Sequence, residues 1–581
     1  MASPVEAAVA AVRPQHLARH LEWFAGVRRD TAGPGERQAA EYIAGQLRDA
    51  GVPVEVHEFD AFLSYPIYAT LEVLEPEQLT VPCLTHSFAR STGPDGIVAE
   101  LADVADGRME HGAGRAALVG GLSTPVTVLR ASRAGCAAVV FTNQDRVIHN
   151  MIGTTIWGTP DSDQADRLPR CPAISVDVEG GRTLRGLLAR GGPVRVRIVA
   201  EVKTEWLRSL LPEATIPGTG AGGVDADQFA LVGAHYCSWN AGITDNATGD
   251  ACLLEMARVL WEHRTGLARG VRVCWWPGHS HGRYSGSTWY ADTRFFDLAE
   301  RCLAYYNVDS PGVRGATRYV ARNTTADIER FAKHIITQTT GLADPPAHRP
   351  ARAADQSFLP NGVSSFSIYP FLPEDHPDFR PWTGGAANAW WWHTDFDTLD
   401  KADAGILAAD TRIGVTAIAA LANARVLPLA PGDAGEEIRE VAADLQPAAG
   451  THLDLGPVVA DADAFVGAAR VLDEVRGRAT DPSAARRLNA ALLRIARILN
   501  PVVYSRRGRF FHDPAEWSPI MRASGRYVLP GLSPAGALAS LAGTRDYGFL
   551  RAQLLRESNR VRSALREAST LALETASALG R

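Results

Sequence analysis

The chain has 581 residues, a length that predicts several domains rather than one. Hydrophobic residues make up 46% of the chain, which is typical of an ordinary globular protein. The formal net charge of −6 disfavours a nucleic-acid partner, because binding nucleic acid would need a basic surface. No apolar run reaches the roughly 18 residues of a membrane-spanning helix, so we expect neither a membrane span nor a membrane partner.

The N-terminal part of the chain predicts a helix followed by a strand. Apolar residues recur at helical spacing within 37–51, and the helix is expected to stop at Gly51. The alternating segment VPVEVHEFDAF then predicts a strand. From about 90 to 205 the chain has short β-rich runs separated by glycine and proline. We therefore expect a small β-rich domain inserted into a larger one.

A second patterned block follows a glycine- and proline-containing segment. FALVGAHY and VRVCWW are apolar runs typical of buried strands, and DACLLEMARVLWEH between them has helical periodicity. A strand, a helix and a strand in this order indicate a βαβ unit. The block thus predicts an α/β domain with a mainly parallel sheet, which extends to about residue 428.

The remainder of the chain, residues 429–581, is expected to be mostly helical and carries no strong chemical motif. RRLNAALLRIARIL is amphipathic, and four apolar residues of the last predicted helix form one stripe: Leu550, Leu554, Val561 and Leu565. Such a stripe is usually core and less often a subunit interface.

Four segments place acid–base or metal-ligating residues just after apolar runs. They are GAHYCSWNAGITDNATG with His235 and Asp245, WWPGHSHG with His279, Ser280 and His281, NVDSPG with Asp309, and WWWHTDFDTLDKAD with His393. Each residue alone could be a structural histidine or a helix-capping aspartate. In open α/β sheets ligands bind beyond the carboxyl ends of the strands, so four such segments in one domain predict a shared site.

These segments resemble the zinc aminopeptidases of the M28 type. GAHYCSW with TDNATGDACLLEMAR resembles the first ligand segments of that family, NVDSPG resembles the third, and HTDFDTLDKAD closely resembles the last. The resemblance implies four metal ligands, with Asp245 bridging two ions: His235, Asp245, Asp309 and His393.

The resemblance also implies a domain organisation. An M28-like catalytic α/β domain would comprise residues 1–89 and 206–428, interrupted by a protease-associated-like insertion at 90–205. Residues 429–581 are similar to the dimerisation domain of the glutamate carboxypeptidase and transferrin-receptor branch. That similarity implies a homodimer formed through this helical segment.

The sequence departs from the family where adjacent glutamates, a general base and a metal ligand, would stand. Here the segment reads GHSHG, with no carboxylate. Aligned from the preceding strand, His279 takes the base position and Ser280 the ligand position; aligned from the following GST, His281 takes the ligand position. Either histidine could serve as a metal ligand or as a general base, since neutral imidazole suits zinc, iron, nickel or copper.

Cys237 is a second departure, because the family has an aspartate there. It is expected to be a small buried thiol, or alternatively a soft ligand or reactive thiolate. With fewer carboxylates the site carries less negative charge, so one divalent ion, most simply zinc, is an alternative to two.

Two other functions remain open. GHSHG also fits the G-x-S-x-G nucleophile elbow of serine hydrolases, with Ser280, Asp309 and His393 as nucleophile, acid and base. That alternative leaves His235 and Asp245 without a role. The chain could also be a non-catalytic dimeric scaffold derived from the peptidase fold.

The most consistent interpretation is a metal-dependent hydrolase of a peptide or amide bond in a small substrate. The 7 cysteines contain no CxxC pair, and the first residues make a poor export signal, so we expect a cytoplasmic protein. Several tryptophans near the predicted ligands could pack in the core or wall a pocket: Trp239, Trp275, Trp276, Trp390, Trp391 and Trp392.

Overall fold

A computed structural model describes residues 4–104, 107–477, 479, 481–514 and 527–580. The strands among these residues are, in chain order, β1 (Val54–Glu75), β2 (Leu79–Val81), β3 (Cys83–Thr85), β4 (Ile97–Asp103), β5 (Ala116–Gly120), β6 (Ala138–Thr142), β7 (Ala173–Val176), β8 (Arg195–Ile216), β9 (Phe229–His235), β10 (Gly270–Trp276), β11 (Cys302–Asn307), β12 (Arg318–Arg322) and β13 (Ser365–Phe371).

Most of the helices pack around strands β8–β13 or form the C-terminal end of the chain. They are α1 (Pro4–Ala10), α2 (Pro14–Ala25), α3 (Pro34–Asp49), α4 (Pro125–Ala134), α5 (Val178–Ala189), α6 (Thr248–Glu262), α7 (Ser285–Thr293), α8 (Phe295–Arg301), α9 (Glu329–Thr340), α10 (Ala404–Asn423), α11 (Pro431–Ala449), α12 (Gly456–Arg476), α13 (Pro482–Tyr504), α14 (Leu538–Leu541) and α15 (Arg545–Leu579).

The sheet half that carries the predicted ligands has the order β12-β13-β11-β9-β10-β8. β13, β11, β9 and β10 pair in parallel, and the antiparallel strands β12 and β8 flank them. β9 and β10 are buried along nearly their whole length, as their continuous apolar runs predict, and α6 connects them. The βαβ unit and the mainly parallel α/β sheet flanked by helices are therefore confirmed.

A long antiparallel ribbon joins this half to a second one. β1 and β8, each 22 residues long, pair along most of their length. The first residues of β8 pair with β4, and the order continues β4-β5-β6-β7-β3, with α4 and α5 against this second half. Its strands bury a hydrophobic cluster of their own. The predicted boundary between residues 205 and 206 falls inside β8, which runs on without a break.

The C-terminal segment is helical. α12 and α15 pack on one another, α11 packs on α12, and α13 packs on α15. Leu554, Val561 and Leu565 of the predicted stripe are fully buried, and Leu550 packs against the same core from a partly exposed position. The stripe is thus internal core of the chain rather than a free face.

One helix, α10, is long and apolar enough to cross a membrane by length and composition alone. Most of it is buried in the fold, where it packs against α1, α2 and α6. Asp403 caps its N-terminus by accepting hydrogen bonds from the backbone N–H groups of Gly405 and Ile406 at 2.8 and 3.0 Å. These contacts are those of a core helix.

Candidate metal centre

His235 is the last residue of β9 and provides the first candidate ligand. Its ring is buried, and Nδ1 lies 3.0 Å from the carbonyl oxygen of Cys237, which can only accept a hydrogen bond. In the neutral ring Nδ1 therefore carries the proton, and Nε2 is the nitrogen whose lone pair could bind a metal. Nε2 is buried and lies 3.0 Å from Oδ1 of Asp245 without the geometry of a hydrogen bond, an arrangement that suits two atoms able to bind the same metal ion.

Asp245 lies in the tight turn Ile243–Ala247 that leads from β9 into α6. Asp397 fixes this turn, because its carboxylate accepts hydrogen bonds from the backbone N–H of Thr244 at 2.9 Å and of Asp245 at 3.0 Å. The Thr244 hydroxyl donates a further bond to Asp397 at 2.7 Å. Asp397 belongs to the HTDFDTLD segment, so part of that sequence signature holds the turn that presents Asp245.

The carboxylate of Asp245 lies between two imidazoles. Oδ1 is 3.0 Å from Nε2 of His235, and Oδ2 is 3.2 Å from Nε2 of His393. Burial opposes ionisation of Asp245, but the two histidines more than compensate and hold its pKa well below the usual range. Burial would likewise lower the pKa of His235, and the neighbouring carboxylate instead raises it. Asp245 is therefore an anion with one oxygen directed at each histidine.

Asp309 completes a group of three donors. It follows β11, and its Oδ1 accepts a hydrogen bond from the Ser310 hydroxyl at 3.0 Å. Ligand atoms of His235, Asp245 and Asp309 all lie within 4.8 Å of one another. One imidazole nitrogen and two carboxylate oxygens suit zinc, and the orphaned Nε2 of His235 supports the fit.

His393 approaches Asp245 from the opposite side. Its Nδ1 lies 2.8 Å from the carbonyl oxygen of Asn150, so Nε2 is again the free nitrogen. The ring stacks on Trp392 with centroids 3.8 Å apart. Asn150 lies within the predicted insertion, so that segment orients a predicted ligand. No sequence signal marks Asn150, because the contact uses its backbone carbonyl.

His279 lies next to the donor group. Its ring stacks on that of His235 with a centroid separation of 3.8 Å, and its Nδ1 is 2.7 Å from Oδ2 of Asp355. Gly278, with a positive φ of 69°, makes the turn after β10 that brings His279 here; a Cβ at Gly278 would lie 1.9 Å from the Ser285 hydroxyl oxygen. Burial, reinforced by His235, lowers the pKa of His279, so the ring is neutral near pH 7.

Asp355 was not predicted from the sequence. It is fully buried, and its second oxygen accepts a hydrogen bond from the Ser287 hydroxyl at 2.8 Å. The segment ARAADQS that contains it has no periodicity or motif, and 76 residues separate it from His279. Only the folded chain reveals that a carboxylate supports this histidine.

The other two residues of the HSH segment are placed differently. His281 is buried between Tyr65 and Trp239, with ring centroids 5.1 and 4.4 Å away, and its Nε2 is 3.8 Å from an oxygen of Asp30. The Ser280 hydroxyl makes no hydrogen bond to any residue within the described ranges. The side chains of consecutive residues in a turn point in different directions. The structure therefore brings the His279 ring to the donor group but not the side chains of His281 or Ser280.

Cys237 and the tryptophans have mainly structural contacts. The Cys237 thiol is buried and accepts a hydrogen bond from the backbone N–H of His279 at 3.1 Å. Trp275 and Trp276 lie in the core below the sheet edge. Of the six tryptophans singled out by the sequence, Trp392 lines the cleft described next.

An open cleft of about 630 Å³ leads to these residues. Asp245, Asp309, His279 and His393 line it, together with two arginines that the sequence did not single out, Arg283 and Arg322, and with apolar residues and glycines. Ser280 and His281 are not among its lining residues, so the chain order Ser280, Asp309, His393 does not correspond to a serine triad on this surface.

Comparison with known proteins agrees with this geometry. Residues 214–417 match peptidase family M28. The chain is 24% identical over 406 residues to a probable glutamate carboxypeptidase VP8 of Zea mays, covering 55% of this chain and 53% of the relative. It is 26% identical over 379 residues to the aminopeptidase NAALADL1 of Mus musculus, covering 57% and 48%. The chain thus spans about half the length of these curated relatives.

Solved structures share the fold. An aminopeptidase from Aneurinibacillus sp. strain AM-1 superimposes with a TM-score of 0.57 at 20% identity, covering 72% of this chain and 96% of that one. BSAP, a zinc aminopeptidase from Bacillus subtilis, gives a TM-score of 0.55 at 18% identity, covering 70% and 95%. Residues 214–417 thus match the model of peptidase family M28, and the solved aminopeptidases show that the chain shares their fold.

Proposed function

We propose that this chain is a metal-dependent hydrolase that cleaves a peptide or amide bond in a small substrate, with one zinc ion as its metal. The observation that carries the proposal is the convergence of His235, Asp245 and Asp309 beside the carboxylate-held imidazole of His279. The two aspartates and His279 line the cleft. Relatives named as aminopeptidases and as a glutamate carboxypeptidase support the same reaction class.

The distribution of donors supports one ion rather than two. His235, Asp245 and Asp309 supply three donor atoms to one position. On the other side of Asp245, His393 faces the remaining carboxylate oxygen. Among the described residues, neither His279 nor His281, the histidines that the sequence offered as ligands, joins His393 in a second group of three donors. Ser280 does not line the cleft. Two protein ligands hold a divalent ion less tightly than three.

When bound, a zinc ion would polarise the substrate carbonyl and lower the pKa of a coordinated water. The chain itself must then accept and return a proton. Asp355 accepts a hydrogen bond from Nδ1–H of His279, which keeps the proton on Nδ1 and leaves Nε2 as the basic nitrogen. Nε2 of His279 would accept a proton from the attacking water and deliver it to the departing amine. The stacking on His235 and the hydrogen bond to Asp355 hold the ring in place for both transfers.

The proposal is tested by removing the metal and by altering one ligand. Chelation should abolish hydrolysis of a dipeptide amide bond, and added zinc should restore it. Asp309→Asn should lower both bound zinc and activity. The matched control is Asp395→Asn, an exposed aspartate two residues after His393, which should change neither. Activity that survives chelation and Asp309→Asn but is lost in Ser280→Ala would contradict the proposal and favour a serine hydrolase.

A further inference from the structure

A second groove, of about 650 Å³, lies outside the cleft at the metal centre. Among the described residues, none lines both the groove and the cleft. The groove is formed by the end of α7, the start of α8, the loop before β13 and the segment after α13. Its size is within the range of about 300–1,000 Å³ that is typical of ligand pockets. The lining residues include Phe295, Phe296, Pro360, Asn361, Arg509 and Phe510.

Phenylalanines form the apolar wall of this groove. Phe296 and Phe510 are 74% and 69% exposed, the two highest values for large apolar side chains in the part of the chain that the structure describes. The Phe295 ring lies between them, with ring centroids 5.4 Å from Phe296 and 5.1 Å from Phe510. The three rings therefore form one continuous exposed surface. A continuous apolar surface marks an interaction site, whereas single exposed apolar residues are common and need no explanation.

Arginines accompany this apolar wall. Arg509 lines the groove, with its guanidinium carbon 5.8 Å from the centre of the Phe295 ring. Arg509 and the nearby Arg506 are both exposed, and no carboxylate among the described residues pairs with either side chain. Asp292, the acid that lines the groove, lies 2.9 Å from Nε2 of His512. Positive charge thus exceeds negative charge here, although the whole chain has a formal net charge of −6, and the groove attracts an anionic ligand.

The loop that presents Arg509 and Phe510 is held by a buried acid. Asp513 is fully buried, and its carboxylate accepts hydrogen bonds from the backbone N–H groups of Arg506 at 2.6 Å and of Arg507 at 2.8 Å. These contacts fix the base of the loop before a ligand arrives. A loop fixed in this way loses less conformational entropy on binding, so its exposed side chains are suited to recognition.

A buried amide supplies a hydrogen-bond acceptor within the groove. Asn361 lines the groove and is almost fully buried, and its Nδ2 donates a hydrogen bond to the carbonyl oxygen of Ala291 at 3.2 Å. Its Oδ1 accepts no hydrogen bond from any residue within the described ranges. This oxygen is therefore available to an N–H donor. Because the side chain is recessed, the donor must belong to a chain that enters the groove and not to a flat surface laid across it.

We infer that this groove is a docking site for an acidic peptide segment of a partner protein. An apolar side chain of the segment packs on Phe295 and Phe510, and a neighbouring carboxylate pairs with Arg509. A backbone N–H of the segment donates to Asn361. Charge complementarity selects an anionic partner, and the recessed amide oxygen selects a peptide over a lipid surface. Arginine and aromatic side chains are also the residue types that contribute most at protein interfaces.

The test compares three pentapeptides, each acetylated at the N-terminus and amidated at the C-terminus. The acidic apolar peptide is Glu-Phe-Asp-Leu-Glu. The second, Lys-Phe-Lys-Leu-Lys, keeps the apolar residues and reverses the charge, and the third, Glu-Ser-Asp-Ser-Glu, keeps the charge and removes the apolar residues. Calorimetric titration of the full chain should give a Kd for the acidic apolar peptide at least about 10-fold lower than for either of the others, because both contributions are needed.

Variants assign the binding to the groove. Arg509→Glu and Phe510→Ser should each raise the Kd for the acidic apolar peptide about 10-fold or more. The matched control is a second exposed arginine–phenylalanine pair, Arg545 and Phe549 on α15, whose guanidinium carbon lies 5.0 Å from the ring centre. Arg545→Glu and Phe549→Ser should bind the peptide as wild type does. All four side chains are exposed, and thermal melting of each variant checks that it folds.

Several results would overturn the inference. They are the lack of a preference for the acidic apolar peptide, or a preference that persists in both Arg509→Glu and Phe510→Ser. Binding to vesicles of phosphatidylcholine and phosphatidylserine but not to the peptide, lost in the same two variants, would assign the surface to a membrane instead. Self-association that these variants abolish, without peptide binding, would assign it to a second copy of the chain. Peptide binding is measured without turnover, so its outcome does not depend on the proposed hydrolase function.

Discussion

His279 and Asp355 form a hydrogen-bonded pair beside the donor group. The Asp355 carboxylate accepts a hydrogen bond from Nδ1–H of His279 at 2.7 Å and another from the Ser287 hydroxyl at 2.8 Å. A histidine fixed in this way can take over proton transfer, because its free nitrogen and ring orientation are both determined. The pair is thus the part of the site that most directly decides whether this chain is an enzyme.

Asp355→Asn should separate catalysis from metal binding. The amide removes the charge that fixes the His279 tautomer, so we expect kcat to fall roughly 10²- to 10⁴-fold while KM changes little. Bound zinc should stay at the wild-type level, because Asp355 is not in the donor group. Steady-state kinetics and metal analysis of the same preparation provide the measurement. Ser287→Ala, which removes only the support of Asp355, should show a smaller loss of kcat; unchanged kcat in both variants would exclude the pair from proton transfer.

At this scale the sequence identified residues that stand in motifs and missed those that act through distant contacts. His235 and Asp309 lie at or just beyond the ends of apolar strands, and Asp245 lies in the turn before a helix. Their convergence could therefore be predicted from the sequence. The choice between His279 and His281 could not, because it depends on how the turn after Gly278 directs each ring. Asp355, Arg283 and Arg322 belong to no pattern, and their relation to the site exists only in three dimensions.

Helix α3 contributes a buried acid to the half of the molecule that contains the metal-donor group. Glu36 accepts hydrogen bonds from the backbone N–H of Ala32 at 2.7 Å and from the Ser209 hydroxyl at 2.9 Å. Burial nevertheless raises its pKa from 4.5 to about 8. Between these two values the unfolded chain has released a proton that the folded chain retains, so stability falls as pH rises through this window.

Glu36→Gln should therefore flatten the pH dependence of stability between pH 5 and 8. Glutamine cannot ionise, so the variant loses the contribution of Glu36, which amounts to at most about 1.4 kcal/mol per pH unit. Denaturant unfolding at pH 5, 6.5 and 8 measures the difference between variant and wild type. Glu41→Gln, an exposed position of the same helix, is the control. Parallel stability curves for Glu36→Gln and wild type would show that Glu36 does not titrate in this window.

Helices and strands with a clear local pattern of apolar residues were predicted from the sequence. Strand length that depends on pairing with a distant strand was not. The apolar runs of β9 and β10 and the periodicity of α6 correspond to the observed βαβ unit. The alternating segment at 52–62 predicted only the beginning of β1. The strand continues to Glu75 because β8 pairs with it along most of its length, and a partner 120 or more residues away leaves no local signal.

At the scale of the whole molecule, the two sheet halves meet at the metal centre. Asn150, within the predicted insertion, holds His393 through its carbonyl oxygen, and Nδ1 of His149 is 2.6 Å from the carbonyl oxygen of Trp392. The segment is therefore part of the site rather than a separate attachment. Sequence patterns suggested its β-rich character but could not reveal these contacts, since they use backbone atoms.

The homodimer implied by the family resemblance stays a prediction. The apolar stripe of α15 is occupied within the chain, but α12 and α15 also carry exposed apolar side chains, among them Val471, Leu555 and Leu573. Sedimentation equilibrium over a range of concentrations should give twice the mass of one chain. Leu555→Glu would be expected to weaken such a dimer if this face forms the interface. A single species with the mass of one chain at every concentration would contradict the prediction.

We propose that one zinc ion, held by His235, Asp245 and Asp309, makes this chain an amide hydrolase. The most direct measurement is the number of zinc equivalents per chain retained after saturation and gel filtration, determined by elemental analysis for wild type and for Asp309→Asn. We expect close to one zinc equivalent in wild type and far less in the variant. Two equivalents in wild type, or an unchanged content in Asp309→Asn, would contradict it.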